Sequence, residues 1–105
     1  MEIQVNTGSQ TVGSAGLTEH VEALIRDKLN RFADRITRVE VHLTDENSAA
    51  KSGSDDKRCQ IEVRMAGIHP MSVTDHSDSH DLALNGAIAK MRSRIESTLG
   101  KRNSR

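Results

Sequence analysis

The chain has almost no aromatic residues: of its 105 residues Phe32 is the single one, and Trp and Tyr are missing altogether. RNA- and single-strand-binding modules that splay bases onto ring platforms need two or three such rings on a sheet, so this chain is not one of them. Cysteine is equally scarce. Cys59 stands alone, which excludes an intramolecular disulfide framework and a Cys-rich zinc site. No apolar run approaches the roughly 20 residues of a membrane span. The opening Met1-Glu2-Ile3-Gln4-Val5 alternates apolar with polar and carries an acid, unlike a signal peptide. A Walker loop, a dinucleotide-type glycine motif and a G-x-S-x-G elbow are all lacking. The expectation is a cytoplasmic, non-enzymatic protein with no cofactor, no small-molecule substrate and no membrane partner. Net charge is missing too: 15 Lys plus Arg balance 15 Asp plus Glu, so the whole-molecule charge points to no acidic partner.

What the chain does have is clean periodicity over the length of one small domain, 1–105. Ile3 and Val5 alternate as a first strand, and Thr7 to Gly16 reads as a Gly/Ser/Thr-rich connection. A helix opening at Thr18-Glu19 carries its apolar stripe at Val21, Leu24, Ile25, Leu29, Phe32 and Ile36. Val39, Val41 and Leu43 share one face of a second strand, and Cys59, Ile61, Val63 and Met65 one face of a third. Between them, residues 46–57 read as a flexible acidic loop. Gly67 marks a turn into a short fourth strand around Met71 and Val73, with Pro70 near its start. Ser77 or Asp78 is placed to cap a last helix with an apolar face at Leu84, Ala87, Ile88, Met91, Ile95 and Leu99. Gly100 would end it, leaving 101–105 as a basic tail. The order β-α-β-β-β-α predicts an α+β fold, an antiparallel meander in a four-stranded sheet with both helices on one face.

The charges sort by position. At about 100° per residue, Lys28, Arg31 and Arg35 fall on one flank of the first helix, with Glu19, Glu22, Asp27 and Asp34 opposite or behind. On the last helix Lys90, Arg94, Ser97 and Lys101 form a line in steps of four, three and four, and Arg92 flanks it. One such line usually means a solvated face, and bases near a helix C-terminus also suit its dipole. Two of them suggest a phosphate-binding surface, because phosphate contacts need cations and no rings.

Three other features have plainer readings. His76, Asp78, His80 and Asp81, with His69 and Asp75 nearby, are the densest set of candidate metal ligands. Acids at a helix start are explained by the dipole alone, and no metal is expected. Gly13-Ser14-Ala15-Gly16 matches a bare G-x-x-G, but it follows a strand and reads as a flexible loop. Cys59 has the apolar parity of its strand and reads as a small core residue.

Along essentially its whole length the chain resembles the short ribosome hibernation-promoting factors and ribosome-associated translation inhibitors, the sigma modulation proteins. The resemblance rests on Leu17-Thr18-Glu19, Val21, Ile25, Lys28-Leu29, Arg31-Phe32 and Asp34-Arg35-Ile36, and on Asn85, Ile88, Lys90-Met91 and Ile95 in the last helix. It implies a fold similar to the double-stranded RNA-binding domain. It further implies a stress- or stationary-phase factor that occupies the decoding channel of the small ribosomal subunit, with Lys28, Arg31 and Lys90 against its ribosomal RNA. Geometry adds Arg94 and Lys101, and Arg35 and Arg92 complete the candidate RNA-binding set. The chain departs from the family pattern at Asp81, where an aromatic is usual, and at Ser93 and Ser97, where bases are usual. Those departures keep a second expectation open: a regulatory protein-interaction module of the same fold that has lost the ribosome.

Overall fold

The computed structural model describes residues 1–7, 15–45 and 57–103. The expected loop at 46–56, Gly13-Ser14 of the G-x-x-G and the last two residues lie outside that set. The elements follow in the order β1 (Glu2–Thr7), α1 (Ala15–Lys28), a 3-10 turn (Asn30–Phe32), β2 (Ile36–Asp45), β3 (Lys57–Met65), β4 (Ile68–Ser77) and α2 (His80–Asn103). They make one four-stranded sheet ordered β1-β2-β3-β4. β2, β3 and β4 form the expected antiparallel meander. β1 pairs parallel with β2, as a helical crossover between neighbouring strands requires, so the sheet is mixed.

The strand pattern explains where the core lies. Val39, Val41 and Leu43 on β2 and Cys59, Ile61, Val63 and Met65 on β3 all face one side and are buried. Val21 and Ile25 of α1, with Leu29 and Phe32 just beyond it, pack into the same cluster from above. Ala83, Leu84, Ala87, Ile88, Met91 and Ile95 of α2 complete it. At roughly 1.5–3 kcal/mol for each large apolar side chain buried, this cluster outweighs any surface contact described below. Every buried residue among those described is apolar. Cys59 belongs to this interior. Burial and the nearby Asp75 carboxylate push its thiol up to about 12, against a weaker opposing pull from Arg58, so it stays a protonated thiol at neutral pH.

Two bulges adjust the alternation. Between Ile36 and Arg38 the register slips by one, which turns Ile36 and Val39 inward although they are three residues apart. The extra residue, Thr37, donates its hydroxyl to the Arg64 carbonyl at 3.0 Å. A second slip between Val63 and Met65 lets Ile68 and Met71 both face the core. Gly67 joins β3 to β4 at φ +76°, a left-handed conformation that glycine adopts without a Cβ penalty.

Several boundaries differ from the sequence expectation. α1 starts at Ala15 and ends at Lys28, so Leu29, Phe32 and Ile36 continue the buried stripe from a 3-10 turn and from β2. Arg35 is therefore not on the helix. β4 runs for ten residues, with Pro70 tolerated because this is an edge strand. The cap of α2 is Ser79, whose Oγ accepts the Leu82 N–H at 3.1 Å, and neither Ser77 nor Asp78 takes that position. α2 continues through Gly100, which lacks the positive φ of a helix-ending glycine, and reaches Asn103.

Gly86 lies inside α2, where glycine costs about 1 kcal/mol relative to alanine. A Cβ at Gly86 would run into the Asp75 carboxylate of β4, which would have to swing away. The same carboxylate takes a bond from Lys90 Nζ at 3.1 Å. Gly86→Ala should therefore lower stability in the parent chain and raise it by roughly 1 kcal/mol in an Asp75→Ala background. Denaturant midpoints of the four proteins in that cycle decide the matter, and additive effects would refute the contact.

Candidate nucleic-acid interface

α1 and α2 run side by side in the same direction. His20 near the start of α1 meets Asp81 near the start of α2 at 3.2 Å, and Arg31 just past α1 donates to Glu96 further along α2 at 2.8 Å. Both pairs are well exposed, 53% and 69% for the first and 62% and 44% for the second, so each is worth under about 1 kcal/mol. They mark how the helices lie beside one another, a placement that the shared apolar core fixes. The Arg31 guanidinium also lies 4.9 Å from the centre of the Phe32 ring.

Because the helices are parallel, their C-terminal halves share one end of the molecule with the start of β2 and the β3–β4 turn. Lys28, Arg31, Arg35, Arg92, Arg94 and Lys101 collect at that end, where bases also complement the helix dipoles. The seven basic residues expected to bind phosphate do not form one line, however. Lys90, Arg94 and Lys101 border a groove on the β4 side of α2, together with Ser93, Ser97 and Thr98. Arg92 points to the opposite flank, where Lys28, Asn85, Ile88 and Ala89 join it around an interhelical recess of about 140 Å³. That is the room of roughly four or five waters.

Their partners divide them again. Arg31 is engaged by Glu96, Lys90 by the Thr74 carbonyl and Asp75, and Arg94 by the Ser72 carbonyl. Lys28, Arg35 and Lys101 are exposed and make no hydrogen bond or ion pair among the described residues. Arg92 is the most informative. Its Nε is buried without a hydrogen-bond partner among the described residues, at the wall of the recess that Lys28 overlooks. A buried orphan donor costs about 1–3 kcal/mol, and an anion seated between Lys28 and Arg92 would meet the guanidinium from its recess side rather than at Nε, which has almost no accessible surface. The helical wheel already sets Arg92 and Asn85, seven residues apart, on the face away from Lys90. It does not show that α1 would close over them.

The candidate metal ligands are dispersed. Asp81 turns to His20, Asp75 to Lys90, and Asp78 accepts from Ser77 Oγ at 3.4 Å. Among the described residues His80 Nδ1 is buried without a hydrogen-bond partner, and no three His, Cys, Asp or Glu lie close enough to hold a metal. No helix among the described residues is long and apolar enough to cross a membrane. The open face of the sheet is polar and self-satisfied. Arg38 bonds Glu40 at 2.9 Å and also reaches Glu2 and Gln4, His42 meets Glu40 and Asn6 at 3.5 Å each, and Gln60 donates to Ser72 at 3.1 Å.

With this geometry in place, residues 5–103 match the family model described as sigma 54 modulation protein / S30EA ribosomal protein. Among solved structures, the N-terminal domain of Thermus thermophilus Protein Y superposes with a TM-score of 0.72 at 19% identity, covering 93% of this chain and 99% of that one. A ribosomal subunit interface protein from Coxiella burnetii gives 0.71 at 18% identity, covering 95% of this chain and 99% of that one. These likenesses establish the α+β fold. No curated protein sequence matches.

The orphaned donor gives this site a test with opposed signs. Arg92→Met removes the unsatisfied Nε and keeps the apolar stem, so it should raise stability by about 1 kcal/mol while weakening retention on a polyanion matrix. Loss of stability on that substitution would show that Arg92 is already satisfied within the fold.

Proposed function

The chain belongs to the sigma 54 modulation protein / S30EA ribosomal protein family, and on that premise we propose that it is a ribosome-binding silencing factor. In this reading the basic end enters the decoding channel of the small subunit and blocks it sterically, in the cytoplasm and without catalysis. The observation that carries it is the recess between the helices, where exposed Lys28 faces the Arg92 side chain, whose buried Nε has no hydrogen-bond partner among the described residues. Arg35 and Lys101 extend the same end and are uncommitted among the described residues. Such a surface grips ribosomal RNA through backbone phosphates and reads shape, consistent with one aromatic residue in the chain.

The specific roles follow from availability. Lys28 and Arg92 are the central phosphate contacts, and Arg35 and Lys101 the outer ones. Arg31, Lys90 and Arg94 contribute less, because each would have to leave a partner it already has. That engagement of three of the seven cations also favours the second reading, a protein-interaction module of the same fold.

Four phosphate contacts predict that affinity for small ribosomal subunits falls with salt, with a log–log slope of about −3. Lys28→Ala/Arg92→Ala should roughly halve that slope while remaining folded. Co-sedimentation with purified small subunits across a salt series measures both. A salt-independent interaction, or capture of a protein partner with no ribosomal RNA, would replace the ribosome reading with the second one.

A further inference from the structure

β4 lies at the edge of the sheet and is ten residues long, against six for β1 at the other edge. A long exposed edge offers a row of unpaired backbone groups to any other strand, and folded proteins close such edges with charges, prolines and bulges. β4 has all three devices. Pro70 offers no N–H, and the register slips between Val63 and Met65 beside it. The third device comes from α2. Lys90 Nζ donates to the Thr74 carbonyl at 2.9 Å, and Arg94 Nη1 donates to the Ser72 carbonyl at 3.1 Å. Ser72 and Thr74 are two residues apart, so their carbonyls point the same way along the strand, away from β3.

We propose that Lys90 and Arg94 are the gate of a latent strand-addition surface on β4, and that the strand they exclude is β4 of a second copy of this chain. Backbone composition favours self-pairing. The Ser72-Val73-Thr74 centre is strand-forming, and Asp75 is the only carboxylate in β4. An antiparallel pair about Val73 sets each Ser72 opposite a Thr74, each Met71 opposite an Asp75 and each His76 opposite a Pro70. No like charges meet, and the contact closes on itself with two-fold symmetry. The two α2 side chains occupy the acceptors such a pair needs, so the edge is shut while they stay in place. This goes beyond the ribosome reading and does not depend on it. It assigns Lys90 and Arg94 to keeping copies apart, a role separate from phosphate binding.

The test is Lys90→Ala/Arg94→Ala, two surface substitutions, compared with Arg26→Ala/Arg38→Ala, which removes the same charge from α1 and β2, away from the β4 backbone. Sedimentation velocity over a concentration series reads the mass, and amide hydrogen exchange reads Ser72 and Thr74. The gate variant should shift toward twice the monomer mass, with those two amides slowed at least tenfold at high concentration, while the control stays monomeric. A gate variant that stays monomeric throughout overturns the proposal, as does association that leaves the β4 amides unprotected.

Discussion

The structure depends on a sheet with only one apolar face. Alternation in β2 and β3 sends Val39, Val41, Leu43, Ile61 and Val63 to one side, and polar partners to the other. Both helices must therefore cover the same side, since no other surface can bury their stripes. Placed there, and bridged by His20–Asp81 and Arg31–Glu96, they run parallel and bring their C-terminal halves together. Bases that suit each helix's C-terminal dipole come near one another there, with Glu96 among them bonded to Arg31.

The seven candidate cations are of two kinds. Lys28, Arg35, Lys101 and Arg92 face solvent or a recess with bonding capacity unused, whereas Arg31, Lys90 and Arg94 are bonded within the fold. Proximity to an RNA surface does not distinguish them, but prior engagement does. A cation already bonded to a carbonyl or carboxylate must give up that bond to meet a phosphate, and one without such a bond does not. On the two proposals above, one helix serves both of its flanks, anion binding beside α1 and edge protection beside β4.

Most of the architecture can be read from period alone. Every strand follows from alternation, and the two buried helical stripes from spacings of three and four. What period cannot show is where an element changes type while the apolar pattern continues. Leu29, Phe32 and Ile36 keep helical spacing beyond Lys28, and only packing on β2 moves Arg35 off the helix. The two bulges escape for a related reason: Thr37, and one extra residue between Ile68 and Met71, break alternation by a single position. Of the site, the identities of the basic residues were readable and their grouping was not. A helical wheel gives the direction of Arg92 but says nothing of α1 closing over it. Nor does it show that Lys90 and Arg94 have stems long enough to reach the β4 carbonyls.

The central claim is that the interhelical recess, and not the open face of the sheet, meets ribosomal RNA. Cys59 is buried with its thiol protonated, so a hydroxyl-radical probe can be tethered through an introduced cysteine without labelling the core. Ala89→Cys places the probe at the recess, and Gln4→Cys places it on the open sheet face. With the protein bound to small subunits, the account predicts strong cleavage of decoding-channel RNA from Ala89→Cys and little from Gln4→Cys. Stronger cleavage from Gln4→Cys, or equal cleavage from both, would contradict it.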